Sequence, residues 1–364
     1  MTAKDRRLKT EDRSLIDWSR VNRVLVVKLR SIGDTVLATP SLIALRRFLP
    51  AAQIDILLED WVAPVLDGFV QVDSVLAVGT GPFERLRMAA HLRRQRYDVA
   101  FNLHGGTTAT WFAWASGAAH RVGCGNYQYS FLYNHLLSSA SDFWGREKTH
   151  SAEQQLALLG SVGVPVDDRP KSRLAVTESA SRSIDDRLAN SELHTPHSAL
   201  ALLHPGTGFF TKQWPVENFA RTAEYLTRRG FDVIAISSKA ESATLDELVA
   251  ASKVPITTFD DLTLPEITAL ASKARVFVGN DSGIAHIAAA VGTPSVVIFG
   301  SSNRDHWRPW APSDDVPNEI VYEEFACQPC PGYECREFGE PRCIQSVGTS
   351  NVLDAIERVL SPVK

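Results

Sequence analysis

Three short segments of one design limit what this chain can fold into. Each is an apolar run, then a glycine-containing loop, then a stretch with helical spacing. Residues 24–28 (VLVVK) lead into Arg30-Ser31-Ile32-Gly33-Asp34, residues 200–203 (LALL) into His204-Pro205-Gly206-Thr207-Gly208, and residues 276–278 (VFV) into Gly279-Asn280-Asp281-Ser282-Gly283. A continuous apolar run of this length suits a strand buried on both faces, as in a parallel sheet covered by helices. Such sheets bind ligands at the carboxyl ends of their strands, beside helix N-termini.

The rest of the chain repeats the alternation. Strands are predicted at 24–28, 54–58, 75–78 and 99–103, with helices over 35–48 and 84–96 between them. Residues 105–149 are irregular and aromatic, 151–160 return to a helical pattern, and 164–172 (VPVDDRPKS) are turn-rich. The plan then restarts. Strands are predicted at 200–203, 233–236, 276–278 and 295–299. Helices are predicted over 217–229, closed by Gly230, and over 245–250, 264–272 and 284–291. The expected architecture is α/β, with two facing doubly wound, Rossmann-like domains over 1–175 and 176–364 and a ligand cleft between them. A last helix over 350–360 is free to pack back on the first domain.

Charge supports two halves with different partners. Residues 1–175 carry 22 Lys and Arg against 17 Asp and Glu, and the remainder 16 against 25. The net charge of −4 argues against a nucleic-acid binder. No run of 18 apolar residues is present to cross a bilayer, and residues 1–13 lack the apolar core of a secretory signal, so a cytoplasmic location is expected.

The three loops carry candidate chemistry. Asp34 sits after the first strand, at the mouth of a helix. It is either a general base toward a hydroxyl or a helix cap. Thr207 and Gly208 offer a hydroxyl and a closely approachable backbone, and Lys212 offers a point charge suited to a diphosphate. Neither a Walker loop nor a GxGxxG fingerprint is present. Asp281, Ser282 and Gly283 open a helix, with His286 one turn further on, either as a structural histidine or as part of the site.

These motifs resemble glycosyltransferase family 9, the ADP-heptose:lipopolysaccharide heptosyltransferases. The resemblance runs through residues 22–345 and rests on VLVVKLRSIGDTVLATPSLIALRRFLP, HPGTGFFTKQWPVENFA and FVGNDSGIAHIAAAVGTPSVVIFG. It implies a GT-B fold, with the donor on the C-terminal domain and the acceptor on the N-terminal one. It implies Asp34 as catalytic base, and Thr207, Gly208 and Lys212 at the donor diphosphate. It places Asp281, Ser282, Gly283 and His286 at the phosphates and sugar, Glu241 at the ribose and Leu262 at the adenine. The implied reaction is an inverting, metal-independent transfer from an ADP-sugar, of heptose or a related sugar, to the lipopolysaccharide inner core or another lipid-linked glycan. A nucleotide-sugar epimerase of the same fold and a non-catalytic nucleotide-sugar-binding protein are the alternatives.

Two features lie outside those motifs. Cys327, Cys330, Cys335 and Cys343 follow a Cys-x2-Cys-x4-Cys-x7-Cys spacing. They are read as a structural zinc site, as reduced structural cysteines, or as disulfides. Arg85, Arg87, Arg93, Arg94 and Arg96 crowd one predicted helix. With Arg30 they are candidates for a phosphorylated lipid-linked acceptor and an anionic membrane surface, the alternative being a solvated helix face.

Overall fold

The computed structural model describes residues 16–191, 198–330 and 332–361. The charged leader over 1–13 lies outside them. The chain forms two compact units. The first runs to Arg30 and continues over Pro40–Ala63 and Val70–Pro170. The second comprises Ser31–Thr39, Pro64–Phe69 and the chain from Lys171. The change of unit at Pro170–Lys171 falls in the turn-rich stretch.

The first sheet contains β1 (Arg23–Leu29), β2 (Gln53–Glu59), β3 (Ser74–Val78), β4 (Val99–Asn102), β5 (His120–Cys124) and β6 (His135–Leu137). All are parallel, in the order β3-β2-β1-β4-β5-β6. The second contains β7 (Ala199–His204), β8 (Phe231–Ile236), β9 (Thr257–Phe259), β10 (Ala274–Asn280), β11 (Ser295–Phe299) and β12 (Asn318–Tyr322), in the order β12-β11-β10-β7-β8-β9. Read from its other edge, the second sheet has the same order as the first. It is the Rossmann order, whose switch point lies between the first and fourth strands. In the second sheet that point is β7 beside β10, so two of the glycine loops leave from adjacent strands.

The helices used below are α1 (Ile32–Val36), α2 (Pro82–Gln95), α3 (Thr107–Ala115), α4 (Val216–Arg228), α5 (Gly283–Ala290) and α6 (Thr349–Leu360). The single helix expected over 35–48 is two pieces, α1 and a helix over Thr39–Phe48. Pro40 accounts for the break, since it has no N–H to give to the Val36 carbonyl, which accepts from the Thr39 hydroxyl at 2.7 Å instead. The stretch read as irregular holds α3, β5 and β6. The last helix belongs to the second unit. The buried stripe of α6, Val352, Ala355, Ile356 and Val359, packs on β10, β11, β12 and α4. An apolar stripe at that spacing is covered by the nearest sheet face. Trp214 is buried beside it and donates from Nε1 to the Val347 carbonyl at 2.9 Å.

Candidate active site

The loop after β1 leaves the sheet through a strained corner. Leu29, buried, holds φ +45°, and the β1–β2 register slips between Val27 and Leu29. A non-glycine residue in that region costs on the order of 1 kcal/mol, and such strain clusters at functional loops. The loop then enters α1, whose N-cap position is Ser31. Asp34 is therefore inside the first turn and does not cap it. The Ser31 hydroxyl donates to Asp34 Oδ2 at 2.9 Å, which leaves the carboxylate half-buried and directed.

Residues 31–39 group with the second unit because α1 packs on the N-terminus of α5. Two glycines permit this. A Cβ on Gly33 would lie 2.7 Å from His286 Cδ2, and a Cβ on Gly283 would lie 2.9 Å from Ile32 Cβ and 3.2 Å from the Gly33 nitrogen. Asp34 is thereby brought beside the helix that carries the Asp281-Ser282-Gly283 motif.

Lys212 arrives from the loop after β7. Its ammonium pairs with Asp281 Oδ2 at 2.8 Å and lies 5.3 Å above the Phe209 ring. Asp281 is almost fully buried, so the pair is shielded on the carboxylate side. Ser282 is the N-cap residue of α5, yet its side chain makes no capping bond. Its Oγ lies 3.2 Å from His204 Nδ1. The first N–H groups of the helix are thus not consumed by a side-chain cap, which suits an incoming anion.

Both histidines are neutral at neutral pH. Burial pushes His204 down to about 4, against the opposing pull of Glu241. Burial also lowers His286, with Lys212 acting in the same direction and Asp281 and Asp34 opposing it. His286 Nδ1 is buried without a hydrogen-bond partner. Glu241 lies against the loop after β7, since a Cβ on Gly206 would be 2.9 Å from its Oε1. The Ser238 hydroxyl donates to Glu241 Oε2 at 2.7 Å. Leu262, half-buried, follows β9. A Lys239–Asp260 pair at 2.9 Å ties the loop bearing Glu241 to the loop bearing Leu262. Thr207 is half-buried and Gly208 exposed at the same strand end.

Sequence reasoning gave no role to Asn280, which holds the site together. Fully buried at the end of β10, it donates from Nδ2 to the Pro205 carbonyl at 2.8 Å and accepts from the Trp214 N–H at 3.1 Å. One side chain thereby fixes both ends of the segment carrying Thr207 and Lys212. His204 was also passed over. The available signal for both was a polar residue where a buried strand meets a glycine loop.

The other candidates separate. Arg30 is exposed, and its carbonyl lies 3.0 Å from His104 Nδ1. Arg85 is drawn to the buried Glu59 at 3.7 Å, and Arg94 donates to the Ala90 carbonyl. Arg87, Arg93 and Arg96 are exposed. The four clustered cysteines are free thiols. Cys327, Cys330 and Cys335 line a cavity of about 400 Å³ with Tyr333. Burial raises the Cys343 thiol, and the other three thiols add to the shift. Among the described residues no three His, Cys, Asp or Glu side chains are disposed to hold a metal ion.

Two parallel sheets of Rossmann order are the GT-B architecture, and a carboxylate beside a lysine and an open helix N-terminus is an arrangement suited to group transfer from a diphosphate. The sequence comparison agrees. The chain belongs to glycosyltransferase family 9 (heptosyltransferase), whose family model matches residues 85–339. Asp34 precedes the matched range. Lipopolysaccharide heptosyltransferase 3 of Escherichia coli K12 is 27% identical over 303 residues, 78% of this chain and 83% of that protein. The structure of E. coli ADP-heptose lps heptosyltransferase II superposes with a TM-score of 0.76 at 22% identity, covering 93% of this chain and 98% of that one. The E. coli heptosyltransferase WaaC with ADP gives a TM-score of 0.69 at 17% identity, covering 93% and 99%.

Proposed function

We propose that this glycosyltransferase moves a heptose, or a closely related sugar, from an ADP-sugar to a hydroxyl of the lipopolysaccharide inner core or a related lipid-linked glycan. Transfer proceeds with inversion and without a metal ion. The names of the relatives support the donor and acceptor class. The observation that carries the mechanism is the convergence of Asp34, the Lys212–Asp281 pair and the α5 N-terminus, closed by Gly33 against His286.

Asp34 takes the proton of the acceptor hydroxyl. The oxygen attacks the anomeric carbon from the face opposite the diphosphate, and the bond from that carbon to the phosphate oxygen breaks. Charge develops on the leaving diphosphate. Lys212, the N–H groups at Ser282–Gly283, and Thr207 with Gly208 receive it, without reorganising at the moment of reaction. Glu241 holds the ribose and Leu262 packs on the adenine. His286, one turn into α5, backs the sugar and phosphate side of the site. Arg30 and the arginines of α2 address a phosphorylated acceptor at the cytoplasmic face of an anionic membrane.

Asp34→Ala tests the reading. Turnover of ADP-heptose with a truncated core acceptor should fall by about 10²–10⁴, while ADP binding and thermal stability stay near wild type. Retained activity removes Asp34 from the base role. A product with the donor's anomeric configuration excludes inversion, and loss of activity in a chelator excludes metal independence.

A further inference from the structure

Helix α2 is apolar on both sides. Ala89 and Leu92 are buried against the first sheet. The opposite face carries Phe83, Leu86 and Ala90, at positions i, i+3 and i+7, interleaved with Arg87, Arg93 and Arg94. Phe83 is 82% exposed and Leu86 62%. Beside them, α3 contributes Trp111 and Trp114, the latter 51% exposed. The two helices enclose an open groove of about 640 Å³, lined by Leu86, Ala90, Arg93, Trp111, Trp114 and Arg121. The groove lies wholly within the first unit.

Large apolar side chains rarely stand in solvent in a contiguous set without a partner. The charge pattern narrows the choice of partner. Among the described residues Arg87, Arg93 and Arg96 have no carboxylate partner, and Arg94 meets only a backbone carbonyl. The one acidic side chain of α2, Glu84, sits in the first turn beside Gly79 and Gly81. A Cβ on Gly117 would collide with the Arg93 guanidinium, so that glycine leaves room for the cation at the groove wall. Arg121 donates to the Ala118 and Leu132 carbonyls at 2.7 Å, which fixes its charge at the rim. Cations ringing exposed Phe, Leu and Trp form the pattern of an interfacial segment. Its aromatic and aliphatic side chains reach the acyl boundary while its arginines meet headgroup phosphates.

We infer that the α2–α3 face of the first unit is a membrane-docking surface that seats anionic phospholipid, with Phe83, Leu86 and Trp114 entering the acyl boundary and Arg87 and Arg93 pairing with headgroup phosphates. This refines the membrane contact of the proposed function and rests on that reading. It moves the contact from a purely basic helix face to a mixed apolar and cationic groove, and it releases Arg85, which Glu59 occupies.

Co-sedimentation with vesicles tests it. The full chain should bind vesicles of phosphatidylglycerol and phosphatidylethanolamine at low salt and leave vesicles of phosphatidylcholine. Arg87→Gln/Arg93→Gln should lower the partition coefficient about 30-fold, and Trp114→Ala about tenfold. Leu86→Ser and Trp114→Ala, shown folded by their melting curves, should keep wild-type turnover on a deacylated, water-soluble acceptor. Failure of the wild type to bind anionic vesicles overturns the inference, as does wild-type binding by the variants. Such a result with turnover intact would leave the transferase reading standing and point to a protein partner for the groove. Vesicle binding without turnover of any ADP-sugar would instead refute the transferase reading and keep the surface.

Discussion

Replacing Gly33 by alanine adds one methyl group at the point where α1 meets α5. That Cβ would lie 2.7 Å from His286 Cδ2 and 3.3 Å from Nε2. Carbon atoms rest about 3.5–4.0 Å apart, so α1 or the imidazole must yield by about 1 Å. The ring has nowhere to retreat, because every residue of α5 after Gly283 is buried. Overpacking of this kind costs about 1–3 kcal/mol. Alanine returns up to about 1 kcal/mol of helix propensity at the same position. The net expectation is a loss of about 1 kcal/mol, or about 2–4 °C in melting temperature for a unit of this size. The catalytic effect should be larger, since Asp34 is the next residue and a displacement of about 1 Å costs about 10² in rate. Denaturant unfolding and steady-state kinetics on one preparation measure both. Gly348→Ala is the control, because its added Cβ would meet nothing closer than 3.5 Å. In a His286→Ala background the stability cost of Gly33→Ala should shrink. An alanine variant as stable and active as wild type, or a cost unchanged in that background, refutes the described closure.

Three further outcomes are expected. Lys212→Met should weaken ADP binding in calorimetry and lower stability by about 1–3 kcal/mol by leaving the buried Asp281 carboxylate uncompensated; adding Asp281→Asn should restore part of the stability but not the affinity. Asn280→Ala removes two buried hydrogen bonds and should cost about 2–4 kcal/mol by chemical denaturation, with more effect on donor KM than a surface substitution of equal cost. His204, lowered to about 4 by burial, is protonated more readily in the unfolded chain than in the folded one. Stability should therefore decline as pH falls from about 6.5 to about 4 and change no further from this group below that, a slope that His204→Gln should flatten.

The sequence made the core strands legible because a strand buried on both faces has no polar residue to hide it. The runs at 24–28 and 200–203 sit inside β1 and β7, and 295–299 is β11. What escaped was whatever lacks that signature. Helix α3 (TTATWFAWA) has no polar face to betray a helical period, and β5 (HRVGC) mixes histidine, arginine and glycine in a strand near the sheet edge. Glycine-loop motifs pointed to Asp34, Lys212 and Asp281 because each follows a strand at a switch point or beside one. They could not show that Gly33 and Gly283 serve packing against each other's helices, nor that Asn280 braces two loops, since both facts depend on residues far apart in the chain, 75 and 66 positions in the case of Asn280.

The Lys212–Asp281 pair bears on what the enzyme ignores. An ammonium already matched to a shielded carboxylate is a weak trap for stray inorganic phosphate, and the nearby Asp34 and Glu241 add to the repulsion. On the proposed donor reading, an anion gains a foothold by bringing a nucleoside for the loops after β8 and β9 while presenting its phosphates to the α5 backbone. If Lys212 turns to the diphosphate as proposed, the same carboxylate is at hand to reclaim it after transfer, which would favour release of the spent nucleotide.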